Sequence, residues 1–377
     1  MRILVVIGTR PEAIKMAMPI RELRSRGKAF DVRVCLTAQH RELLDQVIKT
    51  FSISVDFDLD LMKEGQTLFD VTSDVLLGMG RVIDEARPDV VMVHGDTTTS
   101  FAAALAAYYR QTKVAHVEAG LRTGDKFRPF PEEINRRLCD ALCDYHYAPT
   151  QGAKDNLLRE NILPEGIVVT GNTVIDALLM VEKRPYEFDD TEIPSVLDRA
   201  DRVVLVTAHR RENWGEPLRR ICAAIREMPK LFPGVEVIFP VHRNPIVRDV
   251  VFPELFGRPG VTLIEPPEYV PFVHLMKRSY LILTDSGGVQ EEAPSLGKPV
   301  LVLRNTTERP EGVAAGTAKL VGTETGDILR KAGRLLDDPA AYAGMAKVAN
   351  PYGDGHAAER ICAALCERLP ELAGMRE

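Results

Sequence analysis

Short runs of apolar and β-branched residues alternate along this chain with stretches of helical period, and the alternation runs through twice. Residues 3–7, 32–36, 89–93, 114–117 and 168–170 make the first round, and 203–207, 235–239, 261–264, 281–284 and 300–303 the second. Runs this apolar suit strands covered on both faces, and the helical stretches between them supply the crossovers that parallel strands require. The chain therefore reads as α/β, with two Rossmann-like doubly wound domains. Between the rounds, residues 183–190 (KRPYEFDD) are polar, carry a proline and lack periodicity, so the linker belongs there. The expected boundaries are 1–182 for the first domain, joined by a C-terminal helix within 356–377, and 191–355 for the second.

With 377 residues, 45% apolar and 27% charged, the chain has ample material for two ordinary cores. Its formal charge is −6 with no block of basic residues, which argues against nucleic acid as a partner and makes any phosphate binding local. The longest near-apolar run, 101–109, is half a membrane span, and the first apolar run is too short for a signal sequence. A soluble cytoplasmic protein with no membrane partner is expected. Cys139/Cys143 and Cys362/Cys366 each lie one helical turn apart, a spacing able to clamp a metal, but nearby His146 completes no zinc pattern. Packing on helix faces is the reading, and no metal site is expected.

In open parallel sheets ligands bind off the carboxyl ends of strands, so the loops there carry the functional argument. The stretch 281–312 reads as strand, glycine turn, helix, strand and charged loop. A helix is expected over 289–296, after Ser286, Gly287 and Gly288. Backbone N–H groups at such a turn, with no Cβ on two residues, suit a diphosphate, and Glu291 and Glu292 in the first turn suit ribose hydroxyls. The same pattern also describes any well-capped helix. Arg304 and Arg309 add positive charge beyond the next strand. Asp96, Glu118 and Glu132 follow strand ends or open a helix in the first half. Three carboxylates on one edge could repel one another and suit acid/base work, although each alone reads equally as a cap or a first-turn acid. Arg10, Lys15 and the His209-Arg210-Arg211 run are candidate phosphate ligands. His40, His116, His146 and His274 read as structural or surface residues. Neither first turn carries G-x-G-x-x-G, so no dinucleotide cofactor is expected.

The joint pattern of GTRPE (8–12), HGDT (94–97), HVEAGLRT (116–123), PEEINR (131–136), GNT (171–173), HRREN (209–213), TDSGGVQEE (284–292) and TERPE (307–311) resembles the non-hydrolysing UDP-N-acetylglucosamine 2-epimerases over essentially the whole chain. The resemblance implies a glycosyltransferase-B-like pair of domains facing a cleft, a homodimer, and reversible interconversion of UDP-GlcNAc and UDP-ManNAc for cell-surface polysaccharide synthesis without a cofactor. The sugar C2–H adjoins no carbonyl carbon. Without NAD to oxidise C3, the remaining route expels UDP from C1 as C2–H is removed, giving 2-acetamidoglucal and UDP that rejoin from the other face.

By the same resemblance Asp96, Glu118, Glu132 and His209 are catalytic. Arg10, Lys15, Pro267, Phe272, Ser286, Gly287, Gly288, Glu292 and Arg309 bind substrate, with Phe272 near uracil. Pro267 departs from the Gln or Leu of many relatives and offers the base only a carbonyl. Gln39, His40, Gln66, Arg210 and His242 resemble the lining of a second, activating UDP-GlcNAc pocket, with Gly65 where some relatives place arginine. Hydrolysing relatives that release UDP and ManNAc lack much of that lining. A hydrolysing 2-epimerase, an enzyme of a related UDP-sugar, a glycosyltransferase and a non-catalytic UDP-sugar sensor are the alternatives; the three acidic loops count against the last two.

Overall fold

The computed structural model describes residues 1–37, 41–61, 63, 65–189 and 192–370. The chain divides into two compact units, Met1–Ala177 with Gly353–Glu377, and Leu178–Tyr352. The division falls within the helix Thr173–Glu182.

The first unit is built on β1 (Arg2–Ile7), β2 (Asp31–Leu36), β3 (Phe57–Asp58), β4 (Val90–His94), β5 (Lys113–Val117), β6 (Tyr145–Ala148) and β7 (Ile167–Val169). All seven are parallel, in the order β3-β2-β1-β4-β5-β6-β7, with Ile3 opposite Val32 on one side and Val90 on the other. Leu4, Val5, Ile7, Val91 and Met92 are fully buried, because helices cover both faces. The chain winds outward from β1 to β3 and then restarts at β4 on the other side. This reversal places the loops after β1 and β4 side by side, where a ligand site is expected in such sheets.

Glu12 welds those loops together. Its Oε2 accepts from the Gly8 and Thr9 amides at 2.8 and 2.5 Å, and its Oε1 from the Thr97 and Ser100 hydroxyls at 2.5 and 3.0 Å. Gly8 must be glycine, since a Cβ there would stand 2.5 Å from Thr99 Oγ1. The last helix, Ala357–Glu367, packs on the helix Arg10–Ser25, and Asp176 caps it by accepting from the Ala357 and Ala358 amides at 3.2 and 2.8 Å.

The second unit repeats the plan with β8 (Arg202–Thr207), β9 (Val235–Pro240), β10 (Val261–Ile264), β11 (Leu281–Thr284), β12 (Val300–Val302) and β13 (Ala318–Leu320), all parallel in the order β10-β9-β8-β11-β12-β13. The switch lies between β8 and β11, so the loops carrying His209 and Ser286 are neighbours. The helix expected over 289–296 is in fact an α-turn, Gly287–Glu292, followed by a 3₁₀ turn, Ala293–Leu296. Pro294 lacks the N–H that would continue the α ladder, and Gly297, at φ 66°, ends the segment. Strands β3, β6 and β13 were not legible beforehand. They are two to four residues long and acquire strand character by pairing with their neighbours, β3 with β2, β6 with β5 and β7, and β13 with β12. Among the described residues no helix is long and apolar enough to cross a membrane.

Candidate active site

In the first unit, two of the three predicted carboxylates meet cations. Glu118 follows β5 in the left-handed region, at φ 66°, a conformation that costs a non-glycine residue about 1–3 kcal/mol. Its carboxylate accepts from Lys15 Nζ and from Asn172 Nδ2 at 2.9 Å, with His94 Nε2 at 3.6 Å. Its other oxygen reaches over Gly95, where a Cβ would lie 3.8 Å away. Asp96, one residue on, accepts from Arg136 Nη2 at 2.5 Å, and its carbonyl from Asn135 Nδ2 at 3.1 Å. Glu132 and Arg136 are four apart on the helix Glu132–Leu142 and so share a face. Glu132 Oε2 is buried with no hydrogen-bond partner among the described residues, as a group waiting on a ligand would be. Glu118 and Asp96 thus meet around Gly95, Glu132 lies on the helix of Asp96's partner Arg136, and Lys15 and Arg136 pair with the first two. Arg10 opens the first helix and is half-buried.

In the second unit the organising residue is Asp285, which sequence reading quoted but did not assign a role. It is fully buried, and its Oδ2 accepts from the His209 and Arg210 amides at 2.8 Å each and from Asn213 Nδ2 at 2.9 Å. It thereby fastens the loop after β8 to the end of β11. His209 stacks on His242 at 5.1 Å between ring centroids, and its Nε2 lies 3.9 Å from Asp285 Oδ1. Burial pushes the His209 pKa below its ordinary value of 6.5; Asp285 opposes the shift, while His242 and Arg210 add to it.

A histidine held neutral by the fold binds fewer protons than the unfolded chain once the pH drops below its unfolded pKa. Its contribution to stability is therefore present above about pH 6.5 and is lost as the pH falls toward the depressed folded value. His209→Asn is expected to flatten the acid side of a stability-against-pH curve from urea melts relative to wild type; an unchanged slope would remove this account.

Arg210 and Arg309 flank the glycine turn. A Cβ built on Gly287 would lie 3.5 Å from an Arg210 terminal nitrogen and 3.6 Å from one of Arg309. Arg309 is held by Glu291, through a contact from Nε to Oε1, and by its own amide donating to Thr307 Oγ1 at 3.0 Å. Arg210 also donates to the Asp285 carbonyl and to Glu308, both at 3.3 Å. It therefore lines this turn, whereas the resemblance attached it to the second, activating pocket. Arg304, expected with Arg309 to add positive charge beyond the strand, is buried between Glu212 Oε1 and Glu308 Oε2, each at 2.5 Å, whereas Arg309, paired with Glu291, also borders Gly287.

Glu292 accepts from the Tyr269 hydroxyl at 3.1 Å, which orients it beside Gly288 and Ser286. Phe272, on the helix Tyr269–Arg278, and Pro267, just before that helix, are half-buried. Of the predicted second pocket, Gln39 and His40 lie outside the described residues. Gln66 braces its own loop, donating to the Leu61 carbonyl and accepting from the Lys63 amide, both at 2.9 Å, and Gly65 has a left-handed φ of 74°.

Asn172, Arg136, Glu12 and Asp285 are the partners that sequence reading missed as such. All four stand inside quoted motifs, and Arg136 carries a signal, its i+4 spacing from Glu132. Cys139, Cys143 and His116 bring their ligand atoms within 4.8 Å of one another. Both imidazole nitrogens of His116 are already directed at oxygen, Nδ1 at Asp140 Oδ1 (2.6 Å) and Nε2 at the Gly95 carbonyl (2.7 Å), which leaves no ring lone pair for a metal.

Two parallel, doubly wound sheets with charged loops at their switch points define an α/β chain of the glycosyltransferase-B-like class. A glycotransferase of kitacinnamycin, 15% identical with a TM-score of 0.65 and 98% of each chain covered, shares this fold alone. A profile of the UDP-N-acetylglucosamine 2-epimerase family matches residues 21–366, and the chain belongs to that family. It is 52% identical over 370 residues to the UDP-N-acetylglucosamine 2-epimerase of Yersinia pestis, covering 97% of this chain and 98% of the relative. The structure of UDP-GlcNAc 2-epimerase from Neisseria meningitidis bound to UDP-GlcNAc superposes with a TM-score of 0.89 at 49% identity, covering 97% of this chain and all of the other.

Proposed function

We propose that this protein interconverts UDP-GlcNAc and UDP-ManNAc without hydrolysis, by loss of UDP and the C2 proton to give 2-acetamidoglucal, followed by return of UDP to the same face of C1 and delivery of a proton to the opposite face of C2. The observation that carries this reading is the pairing of guanidinium groups, Arg210 and Arg309, over the Gly287 turn. Two fixed cations there neutralise the charge that grows on a departing diphosphate, as the elimination requires. His209, whose amide Asp285 fastens and whose pKa burial lowers, is the proposed donor to the same leaving group. Tyr269 and Glu292 suit a ribose, and Pro267 and Phe272 the base.

In the first unit, Asp96, Glu118 and Glu132 supply the acid/base groups for C2, with Lys15 and Arg10 beside them. Re-addition rather than water capture keeps the product linked to UDP, which separates this reading from the hydrolysing one. No cofactor takes part in the scheme, because the proton and the diphosphate leave and return in balance. The site assignments, and a cytoplasmic location with polysaccharide synthesis as the use of the product, belong to the same proposal.

Purified protein incubated with UDP-GlcNAc in D2O is expected to accumulate UDP-ManNAc with deuterium at C2, followed by NMR. Free ManNAc with UDP would replace this reading by the hydrolysing one, and an undisturbed C2 proton would overturn both.

The protein is further proposed to be a homodimer. Phe69 is 87% and Leu77 67% exposed on the helix Leu68–Ala86, which packs against Thr98–Tyr109, where Tyr108 and Tyr109 are also exposed. Large apolar side chains exposed along two adjoining helices suit a self-complementary interface. Light scattering is expected to return twice the chain mass of 41.8 kDa, and a monomer at micromolar concentration would contradict it.

A further inference from the structure

The loops that carry Asp96 and Glu118, and the helix that carries Glu132, converge on one buried pair. His116 on β5 is fully buried, and Asp140, two turns beyond Glu132 on the helix Glu132–Leu142, is 1% exposed. His116 Nε2 faces the Gly95 carbonyl at 2.7 Å, immediately before Asp96. That oxygen can only accept, so Nε2 carries a proton. Nδ1 faces Asp140 Oδ1 at 2.6 Å, while Asp140 Oδ2 already accepts from the Gly120 amide at 3.2 Å and from Arg122 Nη2 at 2.8 Å. An ionised Asp140 therefore requires a proton on Nδ1 as well, and the ring is an imidazolium.

Burial works against that charge, but the neighbouring Cys139 and Asp140 more than offset it and raise the His116 pKa well above its usual value. Arg122 is tied in turn to Glu160 at 2.7 Å. A buried ion pair contributes little stability over apolar residues of similar shape, so its use here points to geometry rather than to cohesion. Gly120, at φ 87°, leaves no room for adjustment on its side, since a Cβ there would stand 2.3 Å from the Ala153 carbonyl.

We propose that His116 and Asp140 are positioning residues that set the spacing of Asp96 and Glu118 relative to Glu132, by tying the Gly95 carbonyl, the Gly120 amide and the Glu132 helix to one ionic contact. The inference rests on the acid/base roles given to those three carboxylates under the proposed function. Neither residue contacts Arg210, Arg309 or the Gly287 turn, to which the proposed function assigns the diphosphate.

The test compares wild type with Asp140→Asn and His116→Gln. Each is expected to lower kcat for C2 epimerisation by about 30- to 100-fold, while KM and UDP affinity by calorimetry stay within about threefold of wild type. Folded variants whose kcat stays within about threefold, whatever happens to their melting temperature, would reduce the pair to a structural role and overturn the inference. Should both variants fail to fold, wild type labelled with ¹⁵N-histidine decides: both His116 ring nitrogens protonated at pH 8 supports the tie, and a neutral tautomer overturns it. Wild type that leaves UDP-GlcNAc unchanged would sink the functional reading itself, and this is seen before any variant is compared.

Discussion

Asp96→Asn is expected to lower kcat for UDP-GlcNAc turnover by about 10²- to 10⁴-fold, the range for losing a positioned general acid or base, with UDP affinity unchanged. Asparagine keeps the size of the side chain and an oxygen for Arg136, which also retains Glu133 at 3.3 Å, so the fold is expected to survive. What is removed is the capacity to take or return a proton. Two measurements check this: steady-state turnover with deuterium exchange at C2, and calorimetric titration with UDP. A variant that exchanges C2–H at the wild-type rate would remove Asp96 from the chemistry. One that loses UDP binding instead would show that the loop after β4 serves the nucleotide.

Arg309→Ala is expected to raise both the KM for UDP-GlcNAc and the Kd for UDP, by about 10- to 100-fold, because a charge-assisted contact to the diphosphate is lost. It also removes the guanidinium from Glu291, whose side chain is 2% exposed, and losing one half of a buried ion pair is expected to cost stability. The two effects separate in the double variant Glu291→Gln/Arg309→Ala. Neutralising Glu291 is expected to recover stability in urea melts, but UDP stays weakly bound. Restored binding in the double variant would mean that Arg309 acts only by neutralising Glu291, and the diphosphate would then need other ligands.

The candidate site was legible in sequence where its motifs fall at strand ends. Asp96, Glu118, Glu132, His209 and the Ser286–Gly288 turn all lie in loops at strand ends or at helix starts, and each could be named because apolar runs mark where strands stop. Their partners could not be assigned. Arg304 and Arg309 look alike in sequence, five residues apart in one charged loop, yet Arg304 is consumed by Glu212 and Glu308 while Arg309 borders Gly287. The difference depends on Glu212, 92 residues away, whose approach is set by β8 lying beside β11 and not by any local pattern. Asp285 is a similar case. Its neighbours in sequence suggest a turn acid, and only strand order brings the loop after β8 within reach of it.

From the sequence alone came the alternation of apolar strands and periodic helices, its double round, and hence two parallel sheets with functional loops at the carboxyl ends. These follow from local periodicity, and from the need of parallel strands to be covered on both faces. Tertiary structure decided which loops become neighbours, through the reversals at β1/β4 and β8/β11. It made strands of the short segments β3, β6 and β13, and returned the helix Ala357–Glu367 to the first unit under the Asp176 cap. It also turned His116 from one more buried histidine into a charged tie between two loops. Pairings across tens to hundreds of residues depend on where the chain returns in space, and a buried charge shows its purpose only when the groups facing it are known.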